Sequence, residues 1–222
     1  KSSIIIVAII ELFYKNGVPE SALKLIQGDG SVGSKLISFD HISGVAFTGS
    51  STTAKKINLQ LAKKDGPISS LIAETGGLNA MFVDSSSLHE QVVDDIMRSS
   101  FNSAGQRCSA LRLAIIHESI FDDLVKMIKD AMAELSVGNP EDFHCDVGPI
   151  IDEKSRNILL EYVSECSKNG YQVFSHDQAP DGNFVSPTLI ELNSIDDINE
   201  EKFGPILPVS YTHLTLPTIV GV

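Results

Sequence analysis

Basic residues are scarce in this chain: 17 Lys and Arg stand against 29 Asp and Glu, a formal net charge of -12 over 222 residues. That balance argues against a nucleic-acid or anionic-membrane surface, since either needs clustered Lys and Arg. The acidic excess is spread along the chain and reads as a solvated surface. Cysteine is also sparse. Cys108, Cys145 and Cys166 make an odd count of three at spacings that match no zinc pattern. No metal site is therefore expected, and a reducing, cytoplasmic setting is the simplest account. A membrane-spanning run is lacking too: the apolar stretch Ile4 to Ile10 is ended by Glu11 and is too short to cross a bilayer. With no small-residue cleavage site after it, that stretch makes a poor signal peptide. It reads as the buried part of a helix running to about Asn16, stopped at Gly17 and Pro19. Internal repeats and low-complexity segments are absent.

What is present alternates between apolar runs and helical patterns, the mark of an α/β architecture. Strands are expected at Leu23 to Gln27, Gly44 to Phe47, Ser70 to Ala73, Ala80 to Val83, Leu111 to Ile116 and Thr188 to Leu192. Helices are expected at Ser51 to Lys64, Leu88 to Phe101, Ile120 to Leu135 and Glu153 to Asn169. In the last of these, Ile158, Tyr162 and Cys166, with Leu159 and Val163, fall at helical spacing, which makes Cys166 a core residue. Cys145 lies in a loop beside Pro140 and Gly148, and nothing there gives it a role. The strand–helix rhythm breaks at the glycine pair near Thr75 to Gly77, a candidate domain boundary.

Cys108 has different company. In Phe101-Asn-Ser-Ala-Gly-Gln-Arg-Cys108-Ser-Ala-Leu it is surrounded by small and polar residues, with a cation next to it. A structural cysteine sits among aliphatic residues, where its thiol stays protonated and inert. Small polar neighbours and a nearby cation keep a thiol accessible and favour the thiolate, as a nucleophile requires.

Four further motifs each admit two readings. Gly28-Asp-Gly30-Ser-Val-Gly33 is a literal G-x-G-x-x-G after an expected strand and before an expected helix, the pattern that cradles a pyrophosphate in dinucleotide folds. The acidic residue that should follow about twenty positions later for the ribose is missing, since Phe47 to Ser51 occupy that place. Val45-Ala-Phe47-Thr48-Gly49-Ser50 is a strand-to-helix turn whose N–H groups suit either an anion or an ordinary N-cap. Ile72-Ala-Glu74-Thr-Gly76-Gly77 ends an apolar strand on a carboxylate, either a partly desolvated base or a loop glutamate in water. Glu201-Lys-Phe203-Gly204-Pro205 sets an acid and an aromatic before a tight turn, suited to a ribose diol or to no ligand at all.

The order of these motifs is more specific than any one of them. FTGS, then ETGG, then GQRC, then EKFGP resembles the aldehyde dehydrogenase superfamily, and the resemblance runs from about Ile4 to Val209. Within it, Glu74-Thr-Gly-Gly-Leu-Asn79-Ala-Met-Phe-Val-Asp84 and Ser103-Ala-Gly-Gln-Arg-Cys-Ser-Ala-Leu-Arg112 resemble the glutamate-γ-semialdehyde (1-pyrroline-5-carboxylate) dehydrogenase branch found in bifunctional bacterial proline-utilization proteins. Succinate-semialdehyde and broad-range branches, or a non-catalytic homologue that keeps the fold for assembly, are the alternatives.

The resemblance implies a Rossmann-like NAD domain, its C-terminal half at residues 1–75, followed by an α/β catalytic domain at 76–209. It implies that Cys108 attacks an aldehyde to give a thiohemiacetal whose hydride passes to NAD, and that Glu74 activates the water that hydrolyses the thioester. The Cys108 N–H would supply half of an oxyanion hole. Thr48, Gly49 and Ser50 would bind the cofactor pyrophosphate, Glu201 the nicotinamide ribose, and Phe203 would pack on that ribose. Gly28, Gly30 and Gly33 would shape a turn near the adenosine. The partners implied are a small aldehyde substrate, a proline dehydrogenase domain in the same parent chain and a homo-oligomer. The family's oxyanion asparagine and adenosine-ribose lysine would lie upstream of Lys1, and its substrate-carboxylate loop beyond Val209. Residues 210–222, Ser-Tyr-Thr-His-Leu-Thr-Leu-Pro-Thr-Ile-Val-Gly-Val, do not match the family and resemble a translated sequencing adapter. The chain is then expected to be a fragment, inactive by itself.

Overall fold

The computed structural model describes residues 3–175, 179–198 and 200–213. The chain divides into two compact units, Lys1–Thr75 and Gly76–Val222. Among the described residues no helix is long and apolar enough to cross a membrane.

The first unit is built on a β-α-β crossover. Strand β1 (Gly44–Gly49) and strand β2 (Ser70–Thr75) pair in parallel, and a helix, Ser51–Ala62, joins them. That helix buries Ala54, Ile57 and Leu61, one apolar stripe at helical spacing. Its N-cap is Ser50, whose hydroxyl accepts from the Thr53 N–H at 3.2 Å. Two helices precede β1, so in chain order the unit contains α1 (Ser3–Lys15), α2 (Gly30–Ile37) and α3 (Ser51–Ala62). Helix α1 forms as its apolar run and the stop at Gly17 (φ 90°) require, but none of its residues is buried. Ile4 is 81% exposed and Leu12 61%, which corrects the expectation of a buried segment. Apolarity drives a helix into a core only where another apolar face covers it, and among the described residues no element buries this one. Leu23 to Gln27 is likewise not a strand. It carries β-prone side chains but pairs with no neighbouring strand among the described residues, and a strand exists only by its ladder.

The second unit carries a five-stranded sheet in the order β3-β4-β7-β6-β5, comprising β3 (Ala80–Val83), β4 (Leu113–His117), β5 (Gln172–Ser175), β6 (Thr188–Glu191) and β7 (Ile206–Thr212). All neighbours are parallel except β5, an antiparallel edge on β6. Strand β4 lies inside the sheet, and Leu113, Ala114, Ile115 and Ile116 are all buried, the unbroken apolar run that a sheet covered on both faces selects. Helix α5 (Glu118–Ala133) contributes Leu124, Val125, Ile128 and Met132 to the same core. Helix α6 (Glu153–Lys168) buries Leu159 and Cys166, as the spacing requires, while Ile158 on the same helix stays 44% exposed.

Two strands were not foreseen. β5 is a four-residue edge segment after the helix-ending Gly170 (φ 86°), too short and polar to show a period. β7 holds Pro208, a residue that argues against an interior strand because it cannot donate to a ladder. Pairing with β4 begins only at Val209, so Pro208 stands where β7 is paired to β6 alone. The strand runs on through Ser210, Tyr211 and Thr212 in register with Ile115, Ile116 and His117. Residues 214–222 of the expected tail lie outside the described residues.

Between β3 and β4 the expected single helix Leu88 to Phe101 is shorter and changes pitch. α4 spans His89–Ile96, with Leu88 at its N-cap, and is followed by a π-helical turn at Met97–Phe101. The chain then takes three consecutive left-handed residues, Ser103 (φ 56°), Ala104 (φ 52°) and Gly105 (φ 63°). For Ser103 and Ala104 that conformation costs about 1–2 kcal/mol each.

Candidate active site

Since β3, β4 and β7 run parallel, their N-terminal ends share one edge of the second unit's sheet. Asn79 immediately precedes β3, Cys108 leads into β4, and Glu201 and Phe203 lead into β7. Topology thus gathers on one edge residues far apart in sequence.

The turn carrying Cys108 is held from several sides. The Asn79 side-chain amide donates to the carbonyls of Cys108 (2.7 Å) and Ala110 (2.9 Å). The Asn79 carbonyl accepts from the N–H groups of Arg112 and Leu113, so one residue ties the Cys108 turn to the start of both strands. Gln106 donates to the Pro149 carbonyl (3.1 Å) and accepts from the Ile151 N–H (2.9 Å). Gly105 is required for two reasons. Its φ is positive, and a Cβ there would overlap the Gly204 carbonyl of the Glu201–Pro205 turn. Within this frame Cys108 is exposed, whereas Cys145 is half-buried and Cys166 buried. Burial pushes the Cys166 thiol pKa up, the state expected of an inert core cysteine. The cation beside Cys108 is engaged elsewhere: the Arg107 guanidinium donates to the Arg98 carbonyl at 3.2 Å.

Glu201 is anchored by a residue to which the sequence had assigned no role. Arg112 donates from Nε to Glu201 Oε1 at 3.3 Å, and the two side chains are 2% and 17% exposed. Its Nη2 donates to the Arg107 carbonyl at 3.0 Å, and its guanidinium carbon lies 4.7 Å from the centre of the Phe203 ring. Burial lowers the Arg112 pKa, and the hydrogen bond and charge of Glu201 oppose that shift. Phe203 is 43% exposed, which leaves ring surface free for a ligand. A Cβ at Gly76 would overlap the Glu201 carboxylate, so the first glycine of the pair makes room for that acid. Asn79 and Arg112 were both within the quoted motifs. The available signal was Arg112 at the head of an apolar strand, where a charge is buried only if it is paired.

In the first unit, the β1–β2 register sets Thr48 opposite Glu74 and Gly49 opposite Thr75. The FTGS turn and the glutamate therefore lie side by side at the carboxyl ends of a parallel pair, where α/β sheets bind ligands. Of the two readings of Glu74, a partly desolvated carboxylate or one in water, the second holds here: Glu74 is exposed at the open end of a two-stranded sheet. A cleft of about 690 Å³ opens between α2, β1 and α3, lined by Gly30, Gly33, Ile37, Val45, Ile57 and Gln60 among others. Its size and mainly apolar lining suit a flat aromatic ring. Gln60 ties α2 to α3 by donating to the Ser34 carbonyl (2.7 Å) and accepting from the Ser34 hydroxyl (3.0 Å).

The glycine fingerprint is used differently from its motif. Helix α2 starts at Gly30, but its N-cap Asp29 accepts from the Ser31 N–H (2.9 Å) and Val32 N–H (3.4 Å). A carboxylate already holds the donors that a pyrophosphate would need. Hydrogen bonds from the Ser31 hydroxyl, then from the Ser31 and Val32 backbone, keep the Asp29 pKa below its ordinary value.

Comparison with known proteins agrees with this architecture. Residues 1–214 match the aldehyde dehydrogenase family. The chain is 40% identical to the bifunctional protein PutA of Escherichia coli (strain K12) over 95% of its own length, but spans 17% of that protein. It is 31% identical to the 1-pyrroline-5-carboxylate dehydrogenase of Bacillus subtilis (strain 168), covering 90% of this chain and 40% of the relative. A crystal structure of a Bradyrhizobium japonicum Proline Utilization A (PutA) variant superposes with a TM-score of 0.91 at 44% identity, over 94% of this chain and 21% of that one. With a parallel α/β fold, the motif order and a match from residue 1 to residue 214, the chain belongs to the aldehyde dehydrogenase family.

Proposed function

We propose that this chain is a segment of a longer protein that oxidises L-glutamate γ-semialdehyde to L-glutamate with NAD, in proline catabolism. The observation that carries the reading is the exposed Cys108 on a turn that follows the left-handed Ser103 and Ala104 and is clamped by Asn79, joined through Arg112 to Glu201 and Phe203. Likeness to PutA and to a 1-pyrroline-5-carboxylate dehydrogenase supports the substrate, and the 17% span of the E. coli relative supports a larger parent. A proline dehydrogenase in the same parent chain, a homo-oligomer and a cytoplasmic setting belong to the same reading.

The residues fit a nicotinamide dinucleotide. The cleft between α2 and α3 takes the adenosine, the turn Thr48-Gly49-Ser50 the pyrophosphate, and Glu201 the diol of the nicotinamide ribose against the Phe203 ring. When bound, NAD supplies the hydride acceptor. The chain's own residues do the rest. The Cys108 sulfur adds to the aldehyde carbon, and its own main-chain N–H, which has no acceptor among the described residues, stabilises the oxyanion. After oxidation to the thioester, Glu74 takes a proton from the water that attacks the acyl carbon, and the Cys108 thiolate leaves. In this reading residues 1–75 are the C-terminal half of the cofactor domain and residues 76–209 the catalytic domain.

The test uses the full-length protein. NADH formation is measured with L-glutamate γ-semialdehyde and with succinate semialdehyde, for the wild type and for Cys108→Ala. Expected are a higher kcat/KM for the former and no turnover, with NAD binding retained, in the variant. Preference for succinate semialdehyde would overturn the substrate assignment, and turnover by Cys108→Ala the nucleophile.

A further inference from the structure

Arg112 costs more to bury than a strand of this kind needs. A guanidinium that is 2% exposed must be paired, and a well-packed apolar side chain would fill the same space without that requirement. The pairing it makes is also unusual in form. One planar group donates to the candidate ribose carboxylate Glu201 through Nε and to the carbonyl of Arg107, the residue before Cys108, through Nη2. Its face packs over Phe203, the candidate ribose-packing ring. Its third nitrogen, Nη1, is buried without a hydrogen-bond partner among the described residues.

We propose that Arg112 is a positioning residue that couples the Glu201 carboxylate to the nucleophile turn, so that filling the ribose site changes the reactivity of Cys108. The inference rests on the dinucleotide reading above and adds to it how that site is regulated. Glu201 gives Arg112 one oxygen, Oε1, while Oε2 lies against Gly76, where only a hydrogen fits. A diol donating to this carboxylate draws negative charge away from Oε1, and the Nε bond to it weakens. The guanidinium is rigid, so a change at Nε is carried to Nη2 and to the Arg107 carbonyl. That carbonyl also accepts from the Ala110 N–H, closing the turn in which Cys108 sits. The coupled element therefore has a short physical path: carboxylate, guanidinium, carbonyl, thiol-bearing turn. Lysine keeps the charge but has no fork with which to hold both acceptors in one plane.

Full-length wild-type protein and Arg112→Lys are compared by two measurements. One is the Kd for NAD by calorimetry. The other is the rate of Cys108 alkylation by iodoacetamide, read by peptide mass spectrometry with and without NAD at saturation for each protein. In the wild type NAD is expected to change the alkylation rate severalfold. In Arg112→Lys that ratio is expected to fall to about one, and Kd to rise roughly tenfold or more, the scale of one charged hydrogen bond. If the lysine variant fails to fold by circular dichroism, Arg112→Met combined with Glu201→Gln replaces the pair by neutral groups and is expected to lose the same response. A wild type that binds NAD and shows the response, with an unchanged response in the variants, overturns the coupling alone. A wild type that binds NAD without any change in alkylation also overturns it. A wild type that does not bind NAD overturns the dinucleotide reading, and the coupling falls with it.

Discussion

Replacing Asn79 by alanine removes both hydrogen bonds from its side chain to the carbonyls of Cys108 and Ala110. At about 1 kcal/mol net for each, the turn loses about 2 kcal/mol of support. The left-handed Ser103 and Ala104 just before it store about 2–4 kcal/mol in total. The clamp and the strain are therefore of the same size, and the turn then rests on its other bonds: Gln106 to Pro149, the Leu111 N–H to the Ser99 hydroxyl, and Arg112 to the Arg107 carbonyl. Hydrogen exchange of the Gln106 and Ala110 N–H groups, which close the local turns onto Ser103 and Arg107, reports the loss directly. A 2 kcal/mol drop in opening free energy accelerates exchange about thirtyfold, with little change in the sheet core. Asn79→Asp is the sharper test. It keeps the shape but points a carboxylate at two carbonyl oxygens, so at neutral pH it is expected to exchange faster than the alanine variant. Facing two acceptors raises its folded-state pKa above the unfolded value. The penalty is then full above that raised pKa and relieved as pH falls through it, when the protonated group donates to one carbonyl. Exchange within about threefold of wild type in Asn79→Ala, or an aspartate variant better protected than alanine at pH 7, would refute the clamp.

Gly76→Ala forces the Glu201 carboxylate off its position against the glycine, and with it the Arg112 pair. The Kd for NAD should rise tenfold or more, on the scale of a lost charged hydrogen bond, and an unchanged Kd by calorimetry would remove Glu201 from the cofactor site. Asp29 should titrate below the ordinary aspartate value of 3.8 by carbon-13 NMR, and Ser31→Ala should bring it back toward that value. Because its folded pKa is depressed, its contribution to capping α2 is present above the unfolded pKa and is lost as pH falls through the folded one. Titration of Asp29 at or above 3.8 would contradict the cap.

Much of this fold is legible where local pattern and tertiary environment agree. Helices α3, α5 and α6 begin and end within a few residues of their apolar stripes and caps, and β3 spans the same residues as expected. The failures have physical causes. Pro208 hides β7 because a proline forbids an interior ladder only where both neighbours pair, and here one side is open. Helix α1 is apolar enough to be buried, but burial depends on a covering surface, which its own sequence does not encode. At the candidate site, residue type and order single out Cys108, Glu201 and Phe203, and the parallel strands bring the segments that carry them to one edge of the sheet. The buried Arg112 bridge and the left-handed Ser103 and Ala104 were not, because long-range pairing and strained backbone leave no periodic signature.

Cys108 is proposed to carry the acyl group and Glu74 to release it, and trapping the acyl-enzyme tests both roles at once. Full-length protein with Glu74→Gln is mixed with NAD and L-glutamate γ-semialdehyde, quenched in acid within seconds, digested and examined by mass spectrometry. The expected result is one burst of NADH with a glutamyl thioester on the Cys108 peptide, absent in the wild type under steady turnover and absent in Cys108→Ala. A glutamyl adduct on another residue, or undiminished steady turnover by Glu74→Gln, would contradict it.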